Sequence, residues 1–326
     1  MRIVFHGINA ATFEPGFAAL LDGEHEIAVV SDGLDGAGEA ETLAAADVVL
    51  GFRYGADAPA LSARLYQVVG AGHDAVDTRR LPADCAVCNC YGHEQAIAEY
   101  VFAALLARHV PLSAADAELR LGGWRHAAGR PAGLRSELGS QAIGIVGHGH
   151  IGRELAARAA AFGMEVHMAN RSPVEGPYAG IWGLDALAEM AGRVDVVVNT
   201  LPLTEETRGL IGAKVLGAMR SDSVILNVGR GPVIDETALY AALRDGRIGG
   251  AIIDTWYVYP SPGDPAPLPG RLPFHVLSNV IMTPHMCAWT HGTVERRRAV
   301  MAANVNALGA GRALAHVVRA GRPGAV

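Results

Sequence analysis

Along the first ninety residues, short apolar runs rich in β-branched residues alternate with Ala-rich stretches: "RIVFH", "PGFAALL", "EIAVV", "ETLAAA", "DVVLGF", "PALSARL", "YQVVGAG" and "CAVCN". Strand-length runs separated by helix-like stretches predict a parallel sheet covered by helices on both faces. Residues 94–109, "EQAIAEYVFAALLARH", are apolar nearly all round and predict a buried helix joining two bodies. Residues 111–138 hold little regular pattern apart from "SAADAELRLGGW", and such an arm is expected to cover a neighbouring surface or subunit. A second alternating set follows, with strands expected at 142–147, 165–169, 194–200, 223–228, 249–254 and 279–283. Six strands with intervening helices predict a doubly wound sheet. The last helical stretch, "TVERRRAVMAANVNALGAGRAL" (293–314), is placed to return to the first body, and the Pro- and Gly-rich segment 260–273 must be a loop.

The 326 residues suit two domains of ordinary size, with a cleft expected between them. Half the residues are hydrophobic and 18% are charged, the composition of a folded, water-soluble chain. A formal charge of −6 without a long basic run argues against nucleic acid or an anionic membrane as partner, since both demand clustered cations. No window approaches the roughly 20 apolar residues of a membrane span. The chain opens directly into a strand pattern rather than a signal peptide, so a cytoplasmic protein is expected. Three of the four cysteines fall in "DCAVCNC", where strand alternation puts Cys88 and Cys90 on one face and Cys85 on the other. Thiols so divided are read as packed side chains in a reducing compartment, and no metal site is expected.

Chemistry enters with "IGIVGHGHIGRELA". Gly147, Gly149 and Gly152 stand after an apolar strand and before a helical pattern. The first makes a tight turn, the second lets backbone amides approach a pyrophosphate, and the third permits close helix-to-strand packing. Strand, loop, helix and next strand occur in order, so the segment predicts dinucleotide binding. At the end of "EVHMA", where an acidic residue would hold the adenosine ribose of NAD, the chain reads Asn170, Arg171, Ser172. No carboxylate repels a phosphate there, and a guanidinium and hydroxyl suit one, so NADP is the preferred cofactor, with NAD possible.

Several segments in order, "GAGHDAVD" (70–77), "IAE" (97–99), "ELGSQAIGIVGHGHIG" (137–152), "NTLPLTEETRGLI" (199–211), "ILNVGRGPVIDETAL" (225–239), "GAIIDTW" (250–256) and "NVIMTPH" (279–285), make the sequence resemble the D-isomer-specific 2-hydroxyacid dehydrogenases. That family includes glyoxylate/hydroxypyruvate reductases, phosphoglycerate dehydrogenases and the more distant formate dehydrogenases. The resemblance implies a Rossmann nucleotide-binding domain, residues 104–289, inserted in a flavodoxin-like substrate domain formed by 1–103 and 290–326. Both would be doubly wound parallel-sheet α/β domains. It implies Arg230 as the arginine that grips a substrate carboxylate and polarises its carbonyl, and His285 as the acid/base that protonates the ketone oxygen. His150, Ile151, Leu201, Pro202, Thr207 and Val228 would join the glycines and Asn170–Ser172 around the cofactor, with Asp254 on the nicotinamide carboxamide. Ala71 and Gly72 would offer backbone amides to the substrate carboxylate. Arg53, His93 and Trp289 are further substrate candidates, and a homodimer is implied. His148 is expected to bind only through its backbone, Trp256 and Trp289 are candidate pocket walls, and His291 is a weaker site candidate.

One position departs from the family. The glutamate that ordinarily supports the histidine is Tyr259 here, followed by Pro260. A neutral phenol can hydrogen-bond an imidazole but supplies no negative charge to stabilise imidazolium, so ketone reduction is expected to fade at lower pH than in glutamate-bearing relatives, unless Glu94 or Asp264 takes the part. The segment "DTWYVYP" resembles formate dehydrogenases, but His93 stands where those enzymes carry a formate-binding asparagine. The expected activity is therefore interconversion of a small 2-oxo acid and its D-2-hydroxy acid. Oxidation of formate or another oxyanion, and a non-catalytic nucleotide-sensing role, are the alternatives.

Overall fold

Five apolar runs of the first segment form strands β1 (Arg2–His6), β2 (Glu26–Val30), β3 (Val48–Gly51), β4 (Leu65–Val68) and β5 (Ala86–Cys88). Seven more follow: β6 (Ala142–Val146), β7 (Glu165–Ala169), β8 (Gly180–Trp182), β9 (Val196–Asn199), β10 (Val224–Asn227), β11 (Gly250–Ile253) and β12 (Val280–Met282). A last strand, β13, spans Val317–Arg319. The computed structural model describes residues 1–261 and 263–322. The strands fall into two sheets in two α/β units, one of residues 1–93 with the chain from Trp289 onward, the other Glu94–Ala288.

In the first unit the strand order is β13-β5-β4-β3-β1-β2. All contacts are parallel except that of β13, which runs antiparallel along β5. Alternation along the strands feeds two cores. Ile3, Phe5, Leu50, Cys88 and Cys90 pack beneath Met301 and Val305 of the helix His291–Gly309, while Val4, Val49, Tyr66, Val87 and Cys85 pack on the opposite face. All four cysteines of the chain are buried. Burial pushes Cys85 and Cys88 up to about 11, which keeps them protonated. Two expected helices are corrected. "PGFAALL" gives only a 3-10 turn at Ala18–Leu20. "PALSARL" forms no helix before β4, and Leu61 and Ala63 are buried while Ser62 and Arg64 are exposed, a period of two that a helix cannot satisfy.

The second sheet is fully parallel in the order β12-β11-β10-β9-β6-β7-β8. Its six expected strands are all present, and β8 is an addition: three half-exposed or exposed residues at the sheet edge carry too short a pattern to read. The direction of winding reverses between β6 and β9, so a crevice opens at the carboxyl ends of these two strands, where such sheets bind ligands. Helix Glu94–His109 packs one face, through Ile97, Val101, Phe102 and Leu105, into the core shared with Leu155 and Ala159 of helix His150–Ala161. The arm carries a helix, Leu112–Arg120, that buries no side chain.

Candidate active site

The glycine turn between β6 and helix His150–Ala161 is shaped for close approach. Gly147 has φ 108°, a conformation L side chains rarely adopt, and a Cβ there would lie 2.6 Å from Thr200 Oγ1. At Gly152 a Cβ would stand 1.9 Å from the Gly147 carbonyl oxygen. Gly149 is the helix N-cap, no side chain caps the first turn, and nothing lies within 4 Å of its missing Cβ. The first-turn amides therefore point past bare backbone, the setting that favours a phosphate through hydrogen bonds and the helix dipole. These residues fit a dinucleotide pyrophosphate. His150 opens the helix with its side chain outward, Nδ1 3.4 Å from Glu94 Oε1, and Ile151 packs on the core below.

Asn170, Arg171 and Ser172 form the turn after β7. Asn170 braces it: Oδ1 accepts from the His148 amide at 3.3 Å, and Nδ2 donates to the Ser172 carbonyl at 3.0 Å. Arg171 is exposed and reaches Glu206 at 3.3 Å, an ion pair too solvated to hold it firmly. The His148 ring lies 2.9 Å from the Tyr178 hydroxyl through Nε2.

On the other side of the crevice, loops after β9 and β10 are pinned by two buried asparagines that the motifs did not single out. Asn199 Nδ2 donates to Asn227 Oδ1 at 2.8 Å, and Asn199 Oδ1 accepts from the Leu201 amide. Asn227 Nδ2 donates to the Arg230 carbonyl at 3.2 Å. Leu201 and Val228 are buried, Pro202 is exposed, and Thr207 Oγ1 ties its loop by donating to the Pro202 carbonyl. Arg230 begins a 3-10 turn, Gly231–Val233, tight enough that a Cβ at Gly231 would meet the Trp256 carbonyl at 2.1 Å.

Beyond β11 and β12 lie the remaining candidates of this unit. His285 has φ 57°, a left-handed backbone that is strained for a residue with a side chain. Asp254, fully buried, holds the turn around it: Oδ1 accepts from Thr283 Oγ1 at 2.6 Å and from the Met286 amide at 2.9 Å, and Oδ2 accepts from the Cys287 amide at 3.1 Å. Thr283 is fixed further by Tyr100, hydroxyl to hydroxyl at 2.7 Å, and by the Trp256 indole, which donates to its carbonyl at 2.8 Å. Trp256 itself is a core residue packed on Phe274. The Tyr259 ring lies 5.6 Å from the His285 ring, but its hydroxyl accepts from the Trp256 amide at 3.0 Å. The phenol ring thus stands beside the imidazole it was expected to support. Burial raises the Tyr259 phenol above its ordinary range, while the nearby Arg230 charge acts against that rise. His285 stands beside this phenol, which stays neutral. Asp264 sits in an exposed two-residue bridge with Ser261.

In the first unit, Ala71 and Gly72 follow β4, and the Ala71 carbonyl is held by Asn89 Nδ2 at 2.7 Å. Arg53 is exposed, its carbonyl fixed by the Tyr66 hydroxyl. His93 is buried and stacked on Tyr91, not solvent-facing. Trp289, half-exposed, stands edge-on to Phe13, and His291 is the exposed first residue of its helix. Among the described residues no cluster of His, Cys, Asp and Glu is arranged to hold a metal ion.

Residues 102–287 match the model of the D-isomer specific 2-hydroxyacid dehydrogenase NAD binding domain. The chain belongs to that family. Its members are NAD(P)-dependent oxidoreductases, and similarity extends to individual proteins. The glyoxylate reductase of Korarchaeum cryptofilum (strain OPF8) is 33% identical over 210 residues, 64% of this chain and 61% of the relative. Curated relatives are matched over 36% to 61% of their own length. The structure of an NADPH-dependent glyoxylate/hydroxypyruvate reductase from Sinorhizobium meliloti, in complex with NADP and malonate, superposes with a TM-score of 0.77 at 26% identity, covering 100% of this chain and 99% of the other. An acyclic imino acid reductase in complex with NADPH and D-Arg gives 0.77 at 25% identity, covering 98% and 100%. No described helix is long and apolar enough to cross a membrane.

Proposed function

We propose that the protein reduces a small 2-oxo acid to its D-2-hydroxy acid with NADPH as the preferred hydride donor. The observation that carries this reading is the His285 ring 5.6 Å from that of Tyr259, following β12 and β11 respectively, with Arg230 following β10 of the same parallel sheet, within the unit that bears the glycine turn. A reduced nicotinamide, when bound, would supply the hydride that the carbonyl carbon takes up. Arg230 holds the substrate carboxylate and draws electron density toward the carbonyl oxygen. His285 gives that oxygen its proton, so hydride and proton together complete the alcohol. In the first unit, the Ala71 and Gly72 amides are proposed carboxylate contacts, with Arg53, His93 and Trp289 as candidates for selectivity. NADP complexes among similar structures support the cofactor preference, as does the absence of an acidic residue at 170–172. The exposed Leu112, Leu121, Trp124 and Leu134 of the arm support a homodimer through that segment, which light scattering would test.

A second reading, reduction of a 2-imino acid, is favoured by the neutral phenol at 259 together with the similarity to the imino acid reductase. An iminium carries its own proton, so it asks less of an imidazole that lacks an anionic partner. A panel of 2-oxo acids, each with and without an added amine and with either reduced cofactor, separates the readings. Turnover of 2-oxo acids alone with NADPH is expected. Turnover only when an amine is present would replace the first reading with the second, and nucleotide binding without any turnover would defeat both.

A further inference from the structure

The side chain between the first two glycines of a nucleotide turn has no required part, since the turn binds through its backbone. Here it is a half-buried imidazole built into a contact. His148 Nε2 lies 2.9 Å from the Tyr178 hydroxyl, and the two rings stand edge to face at 5.8 Å. Tyr178 belongs to the connection between β7 and β8, packs partly against the core, and follows the turn that carries Asn170, Arg171 and Ser172. The Asn170 brace gives a second tie between the same two loops. His148 Nδ1, by contrast, makes no hydrogen bond among the described residues and is not buried. In the tautomer whose Nε2 accepts from the phenol, Nδ1 carries the ring proton and is a donor. Burial, and then the guanidinium of Arg153, hold the imidazole below its usual pKa, so it is neutral at physiological pH.

We infer that His148, oriented by Tyr178, is a specificity-determining residue for the adenosine end of the dinucleotide, donating from Nδ1 to the 2′-phosphate of NADP alongside Arg171 and Ser172. A donor to a phosphate makes a charge-assisted bond about twice as strong as one to a neutral hydroxyl, so the contact discriminates NADP from NAD. This rests on the NADP reading above.

Dissociation constants for NADP+ and NAD+, measured on the full chain by quenching of tryptophan fluorescence, test it without turnover. His148→Phe keeps the ring and removes its polar atoms. It is expected to weaken NADP+ binding roughly tenfold or more, the worth of one hydrogen bond to a charged group, and NAD+ by less than about twofold. Tyr178→Phe is expected to shift the ratio the same way by a few-fold, because the tautomer is no longer held. Arg171→Ala reports on the cofactor preference independently. Tighter binding of NAD+ than NADP+ by the unmodified chain would overturn the cofactor reading and this inference with it. A chain that prefers NADP+ and loses that preference in Arg171→Ala, but whose His148→Phe variant weakens both nucleotides equally or neither, would overturn this inference alone.

Discussion

Replacing Asp254 by Asn tests whether that carboxylate acts as the clamp of the His285 turn. The substitution keeps size and shape but turns one oxygen into a donor. If the amide oxygen stays on Thr283 and Met286, the new NH2 faces the Cys287 amide, leaving a buried donor without a partner, at about 1–3 kcal/mol. The two remaining bonds lose their charge assistance, which made them roughly twice as strong as neutral ones. His285 is held against a left-handed penalty of about 1–2 kcal/mol, so a weakened clamp lets it relax toward an ordinary conformation. The sum is about 2–4 kcal/mol. If the proposed role of His285 holds, the same cost expressed in its turn lowers kcat about 30- to 1,000-fold; expressed in global stability, it lowers Tm by several degrees. Steady-state kinetics, a melting curve and the NADP+ dissociation constant together form the assay. Low kcat and low Tm with unchanged nucleotide affinity is the expected pattern. Weakened nucleotide binding with kcat and Tm intact would refute the clamp and make Asp254 a nicotinamide contact instead.

Tyr259→Glu places a carboxylate beside the His285 ring, stabilises the imidazolium and should extend ketone reduction to higher pH; an identical pH profile of kcat would remove position 259 from the proton chemistry. Gly152→Ala sets a methyl 1.9 Å from the Gly147 carbonyl, so the turn must open and nucleotide affinity should fall at least about tenfold, while full affinity would show that the turn is not the binding element. His6 is held below its ordinary pKa chiefly by burial, and its Nε2 has no hydrogen-bond partner among the described residues. The unfolded chain therefore binds the extra proton, so this contribution to stability is complete above about pH 6.5 and declines as pH falls below it. His6→Phe should flatten that part of a Tm-against-pH curve, and an unaltered slope would assign it to another group.

Much of the architecture was legible because parallel strands buried on both faces read as uninterrupted apolar runs, and a glycine triplet announces a turn that few other residues can make. The six main strands of the second sheet and the positions of Gly147, Gly149 and Gly152 could therefore be placed by pattern alone. Where the signal was short or ambiguous, reading failed. Strands β8 and β13 span three residues each, and "PALSARL" looks helical in composition while its burial alternates.

The chain's order of residues determined the two alternating sets of elements, the cofactor turn and the identities of Arg230, His285 and Tyr259. Only the tertiary structure decided how these side chains are held. Asp254 reaches across 29 to 33 residues to fix the histidine turn, Asn199 and Asn227 meet across 28, and His148 meets Tyr178 across 30. The physical reason is that such bonds depend on which strand ends the sheet places side by side. Strand order is set by the packing of whole layers, whereas local periodicity records only which face of each element is buried.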